Sequence, residues 1–417
     1  LVRDEEVASR MNEVDVALIG AGAAGIGAAR RLHGRGHDVL VLEASDRVGG
    51  RAWTLGVEGM PLDMGCGWLH SAERNPWVAI AEQAGFAVDR SESAWNTQLH
   101  DLGFSPAERA AADRAFAAWS SRLRDQAPAS DRAADVLPPG GEWNAYVEAL
   151  SGYLNGTGLS DLSAADYLVY EDAASDENWR VPEGYGTLIA SQLPRVPVAF
   201  GSPVRRIRDE GRGLLLETPR GTLRAAVAIV TVAAPVLARG ALRLPARYDP
   251  RCHAAAQLPL GLANKLFLRL DDAEAVPPES HLLGNPRASH TGSYYLRPFE
   301  RPVVECFFGG SGAAALEAEG LDAAVAFARA ELGALLGAKF AKGLRPVAAS
   351  AWGQADGFAG AYSHALPGHA GARAVLAAPD DRLFFAGEAC SAADFSTAHG
   401  ALATGEAAAE AALALLD

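Results

Sequence analysis

The chain has 417 residues, 49% of them apolar and 21% charged, with 44 Gly and 23 Pro. At ~100–200 residues per domain this length gives two to four domain-sized units, and the composition excludes a disordered, collagenous or disulfide-scaffold protein. Lys+Arg 37 against Asp+Glu 51 leave a net charge of −14, which argues against non-specific nucleic-acid binding and is congenial to cationic substrates.

Residues 14–19 predict a buried strand, 20–27 a Gly-rich turn, 26–32 a helix ended by Gly34 and Gly36, and 38–43 a second buried strand. This βαβ opening is the setting a dinucleotide fingerprint requires. From about 73 to 181 the pattern is helical and Ala-rich. The clearest helix covers 105–127, with Ser105 as cap, Pro106 at the first helical position and Glu108 completing a capping box. Strand character returns at 198–207 and at 213–232, the latter with a turn at Pro219-Arg-Gly221, and again at 262–270 and 294–308. A helix over 322–336, a short strand over 382–386 and a helix from about Thr397 to the end complete the order. There is no repeat and no low-complexity linker. The mixed order predicts two domains that share the chain discontinuously, with cofactor-binding pieces at both ends.

Cys66, Cys252, Cys306 and Cys390 lie far apart with no C-x-x-C, so no zinc site, redox pair or disulfide framework is expected. The longest uncharged apolar stretch, 225–238, has 14 residues and contains Pro235, short of the ~20 a membrane-spanning helix needs. The first residues have no apolar signal core, and a cytoplasmic location is expected. The chain opens on Leu1 with Met11 just ahead of the first strand, which leaves open whether residues 1–10 are native and whether a signal preceded them.

Gly20, Gly22 and Gly25 form G-x-G-x-x-G between a strand and a helix. The first Gly allows the tight turn, the second lets backbone N–H groups approach a pyrophosphate, and the third permits close helix–strand packing. Glu43 ends the second strand 21 residues after Gly22, where a carboxylate accepts ribose hydroxyls. Gly49-Gly50-Arg51 then adds further N–H donors and a guanidinium fork near the phosphates.

These motifs resemble the extended fingerprint of the flavin-containing amine oxidase superfamily, and are closest to polyamine oxidases. The likeness continues through Leu62-Asp-Met-Gly65-Cys66-Gly67-Trp68-Leu-His70, Asn75-Pro76, the turn from Trp179 to Thr187, Val204-Arg-Arg-Ile207 and residues 226–237. It resumes at Trp352, Gly360-Ala361-Tyr362, Pro367-Gly368, Gly387-Glu388 and Thr397-Ala398-His399. The helical insert and the central strands match poorly. The resemblance implies an α/β fold with a Rossmann-like FAD-binding domain (11–72, 183–262 and 352–417). A discontinuous α+β substrate domain, antiparallel sheet plus helices, takes 73–182 and 263–351. FAD would contact Gly20, Gly22, Ala24, Gly25, Glu43, Ala44, Arg47, Gly50 and Arg51, then Gly65, Cys66, Gly67 and Trp68. Further contacts would come from Val204, Trp352, Gly387, Glu388, Thr397 and Ala398. No metal is implied. The helix beginning near Thr397 would turn its N-terminus to the flavin pyrimidine and stabilise negative charge there.

The residues implied in chemistry are Lys265, Tyr362, Phe395, His70 and Trp352. Only three of the 37 basic residues are lysine, Lys265, Lys339 and Lys342, so a lysine inside the apolar run 262–268 stands out. It matches the family lysine that holds a water on flavin N5 and assists reaction with O2; an edge-strand lysine snorkelling outward is the plainer alternative. Tyr362 matches one wall of an aromatic cage, and Phe395 falls near the other, where relatives have tyrosine. Ala361 takes the place of the cysteine that links the flavin in monoamine oxidases, which implies non-covalent FAD. His70 either positions substrate or acts as a base, or is a satisfied core histidine. Glu388 is read as a ribityl ligand, with a turn glutamate as the alternative. Glu171, Asp172, Asp176 and Glu177 are read as a solvated loop, or else a rim that attracts cationic amines.

The expected activity is oxidation of a primary or secondary amine by hydride transfer to flavin N5, with imine hydrolysis and reduction of O2 to hydrogen peroxide. The alternatives are an FAD-dependent C–C desaturase of the protoporphyrinogen or carotenoid type, and a flavoprotein with mainly a binding role. Expected partners are a small amine and O2, with neither nucleic acid nor membrane. Whether the amine is a polyamine, a monoamine or an amino acid is open, as is the oligomeric state.

Overall fold

The computed structural model describes residues 13–417; the questions raised by Leu1 and Met11 lie outside them. A seven-stranded sheet gathers three distant pieces of chain. Glu13–Ile19 lies between Val39–Leu42 and Gly221–Val230, all parallel, with Val198–Ala199 beyond Val39–Leu42. The strand Gly221–Val230 is long enough to serve two partners on its other edge. Residues 221–225 pair antiparallel with Gly213–Thr218, and Ala228, Ile229 and Val230 pair parallel with Leu383–Phe385.

Side chains alternate across this sheet with the period of two that extended backbone imposes. Ala17, Ile19, Leu40 and Leu42 enter one core; Val16, Leu18, Val39 and Val41 enter the other. On the second face lie helices Ala23–Leu32 and Ala398–Leu416. They touch backbone to backbone: a Cβ on Gly405 would sit 2.0 Å from the Ala24 carbonyl oxygen, and one on Gly27 would sit 2.7 Å from that of Leu402. The two ends of the chain are therefore clamped together.

A second, five-stranded antiparallel sheet runs in the order Ser280–Leu283, Ser293–Leu296, Val303–Gly309, Ala263–Leu270, Leu344–Ala349. Helices Pro106–Asp125, Asn144–Asn155, Ala164–Ala173 and Leu321–Leu336 accompany it. The expected capping box is present: the Glu108 amide donates to Ser105 Oγ, and Glu108 Oε2 accepts from the Ser105 amide at 3.1 Å. No helix of the described residues is long and apolar enough to cross a membrane.

One element differs from expectation. Residues 198–207 are not one strand but two, Val198–Ala199 and Arg206–Glu210, at opposite ends of the seven-stranded sheet. The left-handed Gly201 (φ 58°) and Pro203 break the run, and the chain crosses the sheet end between them. Two short pairings carried no distinct sequence signal. Thr54–Val57 pairs with Met60–Asp63, and Leu69–His70 with Asn178–Trp179.

Candidate active site

A cavity of about 1630 Å³ runs from the ends of the parallel strands to the antiparallel sheet. That exceeds the ~300–1,000 Å³ of an ordinary small-molecule site. At one end lie the three fingerprint glycines, each in different surroundings. Gly20 has φ 107°, and a Cβ on Gly25 would fall 2.0 Å from the Gly20 carbonyl oxygen. Gly25 is thus a packing residue and does not line the cavity. A Cβ on Gly22 would meet nothing closer than 3.9 Å, so protein packing does not demand glycine there; the open space belongs to the cavity. Helix Ala23–Leu32 has no side-chain cap, so its first N–H groups remain available to an anion. Gly49 bridges to Gly22 through its N–H on the Ala21 carbonyl (2.8 Å) and brings Gly50 alongside.

Glu43 is buried on the cavity wall. Its Oε2 accepts from the Ala21 amide at 2.7 Å and its Oε1 from the Ser45 amide and hydroxyl at 2.8 Å. The carboxylate therefore also pins the Gly-rich turn. Arg47 departs from the expected cofactor contact: it is absent from the cavity wall. Its guanidinium donates to the Val48 and Gly50 carbonyls and lies 4.8 Å over the Trp53 ring, so it buttresses the second glycine turn. Ala44, Val204, Gly387, Thr397 and Ala398 do line the cavity. Val204 is buried, and its backbone N–H and C=O make no protein hydrogen bond among the described residues.

Arg51 and Glu388 meet across the cavity floor at 2.8 Å. Arg51 Nη1 also donates to the Ala361 carbonyl. Glu388 Oε2 accepts from Ser363 Oγ (2.6 Å) and the Ser396 amide (3.0 Å). Burial alone would raise the Glu388 carboxyl; Arg51, then Ser363 and Arg373, outweigh it and hold it below its ordinary range. It is the hub of the C-terminal motif as well as part of the wall. Thr397 Oγ1 caps helix Ala398–Leu416 by accepting from the Gly400 amide.

Lys265 lies in the Ala263–Leu270 strand, buried, with Nζ 2.8 Å from Glu305 Oε1 on the neighbouring strand. A snorkelling lysine is excluded. Burial favours loss of the proton, but Glu305 and then Asp63 hold the ammonium above its ordinary value. Gly67 leaves room for it: a Cβ there would be 3.1 Å from Nζ. Gly65 is demanded by the Arg51 carbonyl oxygen, 1.7 Å from where its Cβ would be, and it also leaves room for Trp352, whose indole donates to the Met64 carbonyl at 3.0 Å. Burial, and then Asp63, push the Cys66 thiol up to about 12, so it stays protonated.

His70 is on the cavity wall, with Nδ1 2.6 Å from Asn178 Oδ1. Asn178 Nδ2 donates to the Asp176 carbonyl, so Oδ1 faces the ring and His70 Nδ1 carries the hydrogen. Burial lowers the imidazole's affinity for a further proton, which leaves Nε2 with a lone pair.

Tyr362 donates to the Tyr153 carbonyl at 2.5 Å. Phe395 is buried, with one face 3.6 Å below the Arg373 guanidinium and its ring 5.5 Å from Tyr170. Tyr170 was not anticipated; it lines the cavity, and burial, then Asp394, raise its hydroxyl to about 12. Arg373 itself forms a buried bidentate pair with Asp166 at 2.7 and 2.8 Å. Glu305, Asp166 and Arg373 were also missed. Only Glu305 had a sequence signal, as a carboxylate inside the apolar run Val303–Gly309.

The wall thus offers an uncapped helix N-terminus, a buried carboxylate, unpaired backbone groups at Val204 and a capped second helix start. This donor set fits an adenine dinucleotide, and the cavity continues to a buried ammonium and aromatic rings. Such a site defines a dinucleotide-dependent oxidoreductase. A model of flavin containing amine oxidoreductases matches residues 23–110 and 96–413. The chain belongs to that family: it is an FAD-dependent amine oxidase. It is similar to Polyamine oxidase 2 of Arabidopsis thaliana, 27% identical across 95% of this chain and 87% of that protein. It is also similar to Lysine-specific histone demethylase 1 homolog 1 of the same plant, 28% identical across 94% of this chain but 51% of that protein. Among solved structures, wild-type putrescine oxidase bound to putrescine superposes with a TM-score of 0.73 and 20% identity, over 96% of this chain and 99% of that one.

Proposed function

We propose that the protein oxidises a primary or secondary amine with O2 as final acceptor, holding FAD without a covalent bond. One observation carries the reading: the fingerprint turn, the Arg51–Glu388 pair, Lys265 and the start of helix Ala398–Leu416 all open onto one cavity. When bound, FAD supplies the two-electron acceptor. The net change takes one amine, one O2 and one water to a carbonyl compound, ammonia or a smaller amine, and hydrogen peroxide.

The remaining roles fall to the chain. Ala23 and Ala24 N–H groups and Arg51 hold phosphates, Glu43 the ribose, and Val204 the adenine edge. His70 Nε2 accepts a hydrogen bond from the neutral amine and sets its orientation. Tyr362, with Phe395 or Tyr170 opposite, excludes water. Lys265, kept charged by Glu305, stabilises the negative charge that develops as O2 is reduced. The segments 11–72, 183–262 and 352–417 form the cofactor-binding unit on this reading. Non-covalent binding is supported by Ala361 beside Tyr362 and by the protonated thiols of Cys66 and Cys390, each pushed up to about 12, chiefly by burial. The test is direct: the purified protein should be yellow, bleach anaerobically with an amine and release all its FAD on acid precipitation. Colour retained in the precipitate would contradict the non-covalent assignment, and bleaching by a polyene or porphyrinogen but no amine would favour the desaturase reading.

A further inference from the structure

We infer that the substrate is a monoamine with an apolar or aromatic body, carrying neither a second ammonium nor a carboxylate. The inference rests on the amine oxidase reading above and deepens it. Past Lys265 the wall is aromatic. Phe307 stands opposite Lys265 in the strand register, and the Tyr153 ring lies 6.0 Å from it. Trp95 is 6.2 Å from His70 and 4.2 Å from Trp68, which in turn lies 6.0 Å from Tyr295. Such a surface gains most by covering carbon.

The charges inside the cavity are already committed. Asp166 is paired with Arg373, Glu305 with Lys265 and Glu388 with Arg51. Asp63 accepts from Thr54 and from the Tyr185 and Gly186 amides. A second ammonium drawn inside would lose its water without gaining an uncommitted carboxylate. Three arginines of the wall are engaged as well, the first of them Arg109, paired with Asp101 at 2.8 Å. Arg180 binds Asp89 and Glu279 at 2.6 and 2.7 Å, and Arg301 donates to the Pro61 and Pro182 carbonyls. None of these guanidinium groups is free to clamp a substrate carboxylate. Exposed carboxylates of the wall, Asp113, Glu171, Asp176 and Asp356 among them, sit at its solvent edge. There they draw in an ammonium that sheds its proton as it enters.

The experiment is anaerobic stopped-flow reduction of the holoenzyme by 2-phenylethylamine, n-hexylamine, putrescine, spermidine and L-phenylalanine. We expect kred/Kd for the first two to exceed that for putrescine and spermidine at least tenfold, with L-phenylalanine slowest. Putrescine or spermidine matching the monoamines, or L-phenylalanine matching 2-phenylethylamine, would overturn the inference. Dithionite bleaching without bleaching by any of the five would instead overturn the amine-oxidase reading beneath it. Leu150→Glu, which adds a carboxylate to the wall, should raise the putrescine to 2-phenylethylamine ratio at least tenfold over Leu150→Gln; an unchanged ratio would also overturn it.

Discussion

Arg51 and Glu388, 337 residues apart, form a 2.8 Å ion pair that joins the second glycine turn to the C-terminal motif. With the contact between Gly27 and Leu402, it makes the dinucleotide site a product of both chain ends. Removing one partner of a buried pair costs ~3–5 kcal/mol. Glu388→Ala should lose about that much in urea denaturation and weaken FAD retention on gel filtration. Unchanged stability and retention would show that the pair holds nothing.

The fingerprint glycines should separate folding from binding. In Gly25→Ala the new methyl carbon would lie 2.0 Å from the Gly20 carbonyl oxygen, so soluble folded protein should be lost. In Gly22→Ala nothing lies nearer than 3.9 Å and φ is −77°. Its stability should fall by ~1 kcal/mol or less, while FAD Kd rises at least tenfold. Equal loss of fold in both variants would contradict the division of labour.

Lys265→Met should leave anaerobic reduction by amine within a few-fold of the parent and slow reoxidation by O2 roughly 100-fold. Because Glu305 and Asp63 hold the ammonium above its ordinary 10.5, Lys265 stays charged at neutral pH, and reoxidation should be flat between pH 6 and 9. Stopped-flow mixing of reduced enzyme with O2 measures both.

Stability should fall on the acid side. His281 and His364 titrate near 6.5 when unfolded, and burial lowers both to about 4 in the fold. Between those values the unfolded chain binds more protons, so stability rises with pH and is lost as pH falls from 6.5 towards 4. At pH 5 the two cost about 2 kcal/mol each relative to pH 7. Urea midpoints at the two pH values check this, and His281→Gln should flatten the slope.

The parallel strands, the fingerprint turn and the long capped helix were legible because their signals are local: a run of Val and Leu, three spaced glycines, Ser105 with Glu108. The partners that complete the site were not, because they arrive from elsewhere in the chain. Nothing near Arg373 marks it as the mate of Asp166, 207 residues away, and nothing near Tyr170 announces a ring against Phe395. Arg47 was misplaced for a related reason. The family resemblance sets it against FAD, but the Gly50 carbonyl and the Trp53 face take its guanidinium. His70 and Lys265 could be resolved only once Asn178 and Glu305 were seen beside them.

The most direct measurement is titration of apoprotein with FAD, followed by flavin fluorescence. Quenching that saturates at one FAD per chain, and that Gly22→Ala shifts to higher concentration, is the expected result. Saturation by NAD but not FAD, or no saturation by either, would contradict the convergence of the two chain ends on a flavin dinucleotide.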